Sequence, residues 1–105
     1  MTGDALVELL AALANPIRLR IVARLAEGRQ YVSQLARDIG VSRPLLHMHL
    51  QKLEAAGLVS GSLELSADGK AMKYFEVTDF DVRLTAATLA DVAESLSPSA
   101  RKEQP

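Results

Sequence analysis

The chain has 105 residues, a formal net charge of −1, 49% apolar residues and no cysteine. That length fits one domain with a modest core, and the missing thiols exclude disulfides and thiolate metal sites. No basic-then-apolar leader and no apolar run long enough to span a bilayer occurs, which disfavours secretion and membrane spanning and makes the cytoplasm the expected compartment.

Asp4 can cap a first helix over Ala5 to Leu13, where Leu6, Leu9, Leu10 and Leu13 repeat at helical spacing. Asn15-Pro16 opens a second helix with proline at its first position, where no intrahelical N–H is needed. Ile17, Ile21, Val22 and Leu25 line its inner side, which leaves Arg18 and the other arginines outward, and Glu27-Gly28 ends it.

Val32 to Val59 organises the rest. Ser33 to Ile39 forms a short helix with Leu35, Ala36 and Ile39 on one side, and Gly40 stops it. Ser42 can cap the next helix, Pro44 fits its first turn, and Gly57 closes it. Leu46, His49, Leu50 and Leu53 make the inward stripe, while Arg43, His47, Met48 and Gln51 lie opposite. A short helix, a tight turn and a longer helix with a packed back and polar front form a helix-turn-helix. Its second helix suits a DNA major groove.

After Gly57 the period changes to that of strands. Leu58 to Leu65 alternates, with Leu63 and Leu65 set against Ser62 and Glu64; Asp68-Gly69 marks a turn; Met72 to Val77 returns. A hairpin at this point reads as a wing, with Lys70 and Lys73 near its tip able to reach phosphate and Asp68 opposing them. Covering the edge of the core is the plainer role for the same hairpin. Thr78 or Asp79 is expected to cap a last helix continuing to about Leu96, rich in leucine and alanine. The first and last helices each want an apolar partner. A two-fold dimer built from them would supply it and would set two reading helices roughly one DNA turn apart. The domain is placed at residues 1–96, with residues 97–105 as a disordered polar tail.

Charge distribution supports this layout more than the net value does. Arg18, Arg20, Arg24, Arg29, Arg37, Arg43 and Lys52 face only Glu27 and Asp38 between Ile17 and Lys52, whereas Glu76, Asp79, Asp81, Asp91 and Glu94 outweigh Arg83 toward the C-terminus. A basic middle beside an acidic last helix matters more to a DNA partner than the sum.

Three stretches, ALANPIRLRIVARL, VSQLARDIGVSRPLLHMHLQKLEAAGLV and ELSADGKAMKYFEV, resemble the ArsR/SmtB family of small dimeric winged-helix transcriptional repressors. The resemblance runs from about Leu6 to Leu96. Its most specific parts are Asn15-Pro16-x-Arg18, Ser42-x-Pro44 with His49-Leu50, and Glu54 through Gly57-Leu58-Val59. It implies a mainly helical fold with a β-hairpin wing, a homodimer joined by first and last helices, and repression at a palindromic double-stranded DNA operator. Ser42, Arg43, Leu45, His47, Met48 and Gln51 would then face DNA, joined by Lys70 and Lys73 of the wing and by Arg18. The chain departs from the family pattern at His47, where serine is usual, and at Met48, where a basic residue or histidine is usual. Both bear on which operator is read.

The family's thiolate sensors carry a Cys-x-Cys pair where this chain has Tyr31 and Ser33, so soft-metal sensing there is not expected. Its zinc, nickel and cobalt sensors use Asp-x-His and His-x-x-His on the last helix. This chain has Asp79-x-Asp81 and Asp91-x-x-Glu94, an oxygen-rich set better suited to a hard divalent ion, although a solvated acidic face is the plainer reading. No cofactor is expected. His47 and His49 are two residues apart on one helix and point in different directions, which disfavours joint coordination. Without a cysteine nucleophile, an HExxH pattern or a Gly-rich phosphate loop, an enzyme is the least favoured class. The alternatives to an operator-binding repressor are a winged-helix module for protein contact and a regulator whose sensing comes from a partner protein.

Overall fold

The computed structural model describes residues 1–98; of the tail expected at 97–105, residues 99–105 lie outside the described part. In chain order the elements are α1 (Gly3–Leu13), α2 (Pro16–Ala26), β1 (Gln30–Tyr31), α3 (Val32–Ile39), α4 (Arg43–Ala55), β2 (Val59–Leu65), β3 (Ala71–Val77) and α5 (Ala86–Ala93). The architecture is the expected winged helix-turn-helix. An antiparallel sheet in the order β1-β3-β2 closes one side of the helical layer.

Local chemistry sets the helix ends. Asn15 Oδ1 accepts from the Ile17 and Arg18 amides, with Pro16 in the first turn of α2. Ser42 Oγ accepts from Leu45 N at 3.3 Å at the start of α4. At the other end of α4, Gly57 N donates to Glu54 O and Leu58 N to Leu53 O, both at 2.9 Å, with Gly57 at φ 77°. This is the paired closure that a left-handed residue permits, and an L side chain there would be strained. The chain then turns directly into β2, so reading helix and wing are rigidly adjacent.

Ile21 and Leu25 of α2, Leu35 of α3, Leu46, Leu50 and Leu53 of α4, Leu58, Val59 and Phe75 form the centre of the core. Leu9 and Ala12 of α1 complete it.

Five features depart from the expectations or add to them. Thr2, not Asp4, caps α1 through its hydroxyl, and the helix therefore starts at Gly3. Its buried face is Gly3, Leu6, Leu9 and Ala12, which turns Leu10 into solvent. The third is the two-residue strand β1, which is added ahead of α3 and pairs with Phe75 and Tyr74. Fourth, Leu63 and Leu65 of β2 share the face of buried Val59 and Phe75 but lie beyond the core, each 72% exposed, while on the opposite face Glu64 accepts from Tyr31 Oη at 2.8 Å and pairs with Arg29 at 3.0 Å. Fifth, the last helix does not start at Thr78. The Thr78 hydroxyl donates to Gly57 O at 2.7 Å and Leu58 O at 3.1 Å, which fastens the base of the wing. Helix α5 begins only at Ala86, where Thr85 and Thr88 form a reciprocal capping box.

Helix α5 has no buried residue. It lies against α1 through a close approach: a Cβ on Gly3 would come within 2.5 Å of Val92 O and 2.8 Å of the Leu96 side chain. Gly3 N also donates to Ser95 Oγ at 2.8 Å, and Ser97 N to Asp4 Oδ1 at 3.1 Å. Val7, Leu10, Leu84 and Leu89 remain exposed on these two segments. No helix among the described residues is long and apolar enough to cross a membrane.

Candidate nucleic-acid interface

The two faces of α4 have opposite surroundings. Leu46, Leu50 and Leu53 are wholly buried and His49 nearly so, whereas Arg43, His47, Met48 and Gln51 are exposed and Leu45 is half-buried. The inward stripe thus holds the helix by its back, and the front is presented at the surface. Ser42, exposed at the N-cap, leads into that front.

Beside it the wing closes a cleft of about 410 Å³, lined by Arg43 and His47 of α4, Tyr31, Val32 and Ser33 around the start of α3, and Lys70 through Lys73 of the wing. No carboxylate lines it. Three cationic side chains from two elements therefore share one concavity, which Ser33 also lines. Such a surface favours a polyanion. The sequence reading named Arg43, His47, Lys70 and Lys73 separately, and the fold brings them together. Tyr31, Ser33 and Met72 were missed as lining residues, because only the closure of the wing against α3 places them there.

The wing is held in that position by a polar cluster. The Arg29 guanidinium stacks 4.3 Å over the Tyr74 ring, and Tyr31 meets Tyr74 edge-on at 6.1 Å between centroids. Glu64 raises the pKa of Arg29 by its charge and that of Tyr31 by accepting its hydroxyl proton, so the ion pair and the neutral phenol both persist at neutral pH. At the tip, Asp68 is held in its ionised form beside the lysines. Its carboxylate bonds the Ser66 hydroxyl and the Lys70 amide, both of which lower its pKa. Lys73 Nζ lies 5.4 Å over the Phe75 ring.

Arg18 is placed differently from the outward position its helix periodicity implies. Its Nε donates to Ala12 O at 2.6 Å and its Nη1 lies 3.0 Å from His49 Nδ1, so two of its donors are engaged with protein. The four acidic candidates are not assembled either. Asp79 and Asp81 fall in the irregular stretch before α5, Asp91 lies on α5 and Glu94 at its C-cap. Among the described residues no group of three or more potential metal ligands forms.

Comparison with known proteins gives concordant results. The model of the family described as bacterial regulatory protein, arsR family, matches residues 15–60. The chain is 47% identical over 58 residues to the HTH-type transcriptional repressor SmtB of Mycobacterium tuberculosis, a match covering 55% of this chain and 43% of that protein. It thus spans under half the length of that repressor. It is 36% identical over 69 residues to an HTH-type transcriptional regulator of Methanocaldococcus jannaschii, covering 66% of this chain and 72% of that one. Among solved structures it is similar to the homodimeric winged helix-turn-helix DNA-binding domain of a Mycobacterium bovis protein, at a TM-score of 0.61 and 26% identity over 87% of this chain and 70% of that chain.

Proposed function

Since the chain belongs to the ArsR/SmtB family of transcriptional regulators, we propose that it is a sequence-specific transcriptional repressor that binds a palindromic double-stranded operator as a homodimer. The observation that carries this reading is the cleft between α4 and the wing: Arg43, His47, Lys70 and Lys73 converge there without a carboxylate in its lining. Ser42, Arg43, Leu45, His47, Met48 and Gln51 are the base-facing set, and Lys70 and Lys73 neutralise phosphates. The exposed apolar residues of α1 and α5 support a two-fold contact through those helices, in keeping with the homodimeric Mycobacterium bovis relative. Tyr31 and Ser33 stand where thiolate sensors of the family carry cysteines, so repression here does not run through a soft-metal thiolate switch.

Selection of bound duplexes from a fragmented genomic library tests the proposal. An enriched palindrome is expected, with an affinity that falls steeply as salt rises through release of counterions. Arg43→Ala should weaken the enriched duplex by about tenfold or more while changing binding to random duplex much less, as loss of a base contact does. No enrichment at low salt overturns operator binding, and an equal loss on both duplexes overturns the base-reading role of Arg43.

A further inference from the structure

Among the described residues, His49 is the one polar side chain in the buried core, at 4% exposure. It sits on the back of α4, and its partner comes from 31 residues away. Arginine has donors and no acceptor, so the contact at 3.0 Å requires His49 Nδ1 to offer a lone pair. The ring is therefore neutral, with its proton on Nε2. The same guanidinium reaches Ala12 O, on the last turn of α1, at 2.6 Å. One planar fork thus ties the end of α1, the start of α2 and the middle of α4. Packing alone does not set this joint: a cavity of about 230 Å³ adjoins it, lined by Glu8, Ala11, Ala12, Arg18, Lys52 and Ala55.

The two helices that the fork joins are the ones whose relative angle matters most to the proposed activity. Helix α1 carries exposed Val7 and Leu10 toward the expected second copy, and α4 carries the reading face. Resting on the operator-binding reading above, we propose that Arg18 and His49 are positioning residues, a clamp that fixes α4 against the dimerisation helix in its DNA-competent setting while His49 is neutral and frees it when the ring takes up a proton. This gives Arg18 a role other than the phosphate contact its sequence position implied.

The surroundings give the direction of the effect. Burial lowers the His49 pKa from its ordinary 6.5, and the positive charges of Arg18 on α2 and Lys52 on α4 lower it further. Glu8 of α1 lines the adjoining cavity with those two cations. The carboxylates of α3 and β2 are engaged elsewhere, Asp38 with Gln34 and Arg24, and Glu64 with Arg29 and Tyr31. A helix released from the clamp binds the proton more readily than the clamped one. The clamp is fully present above 6.5 and is lost as the pH falls through the lowered folded value. Apparent affinity then falls with the fraction of competent dimer.

The test uses a His47→Gln background and the duplex that this variant itself enriches, since the chain has two histidines and His47 faces the cleft. In that protein, affinity for the enriched duplex should drop by about tenfold between about pH 7.5 and pH 5.5, with a smaller change on random duplex. Adding His49→Gln, which keeps an acceptor for Arg18 but does not titrate, should flatten the profile. An unchanged acid loss in the double variant overturns the clamp. Nitrogen NMR of the imidazole, without DNA, separates this outcome from failure of the operator-binding reading. The Nε2–H tautomer and a pKa below 6.5 that rises in Arg18→Met support the clamp whether or not DNA is bound. A ring protonated on Nδ1 in the neutral form overturns it.

Discussion

Helices α4 and α5 are both capped by a hydroxyl and both carry leucines, yet their leucines meet opposite fates. In α4, Leu46, Leu50 and Leu53 are fully buried within the chain. In α5 no residue is buried, and Leu89 remains 42% exposed. The first helix is held by its own fold, so its front is free to serve a partner that reads polar edges. The second has its apolar side uncovered by the described residues. On the proposed reading the contrast assigns each kind of association its place: DNA at the polar front of a helix already held, and a second copy at the apolar face of a helix not yet held.

Substitutions at equivalent residues of the two helices break this comparison most strongly. Leu50→Ala leaves a cavity at the centre of the core and should lower unfolding free energy by about 3 kcal/mol, read by denaturant titration. Its effect should persist at every protein concentration, because the loss lies inside one chain. Leu89→Asp should instead abolish the homodimer, read as mass by light scattering or sedimentation. With it should go the rise of melting temperature with concentration that a linked dimer shows. A dimer that survives Leu89→Asp, or a wild-type melting temperature independent of concentration, removes α5 from the interface.

The same contrast explains which parts of the molecule were legible in the sequence. Everything that defines α4 is local: Ser42 before it, Pro44 in its first turn, a leucine stripe and Gly57 after it. The start of α5 was misread because Thr78-Asp79 looks like a cap in sequence, and the Thr78 hydroxyl is taken by carbonyls of Gly57 and Leu58, about twenty residues earlier in the chain. The exposure of Leu63 and Leu65 was not legible for a related reason: alternation places them on the face of buried Val59 but does not say how far along β2 the core reaches. Strand β1 is too short for any period to show. Arg18 follows the outward side of its own helix in sequence, and His49 and Ala12 O, brought to it by folding, draw its guanidinium in. The cleft itself is a product of closure: its cations could be named one at a time, but not as neighbours.

The smallest expected effects sharpen the comparison through the caps. Ser42→Ala removes the acceptor for Leu45 N, a contact already long at 3.3 Å, and should lower global stability by about 1 kcal/mol or less. Because α4 is anchored by its buried face, that loss appears in the cooperative unfolding of the whole domain. Thr85→Ala removes the acceptor for Thr88 N and half of a reciprocal box, a local loss of about 1 kcal/mol. Helix α5 has no core to share that loss with, so it should appear as faster amide exchange within Ala86–Ala93 and a nearly unchanged global transition. Raising the protein concentration should restore protection in Thr85→Ala, since the second copy supplies the face that the single chain does not cover. Protection that stays low at every concentration would mean that no second copy covers α5 and that its exposed leucines await no partner.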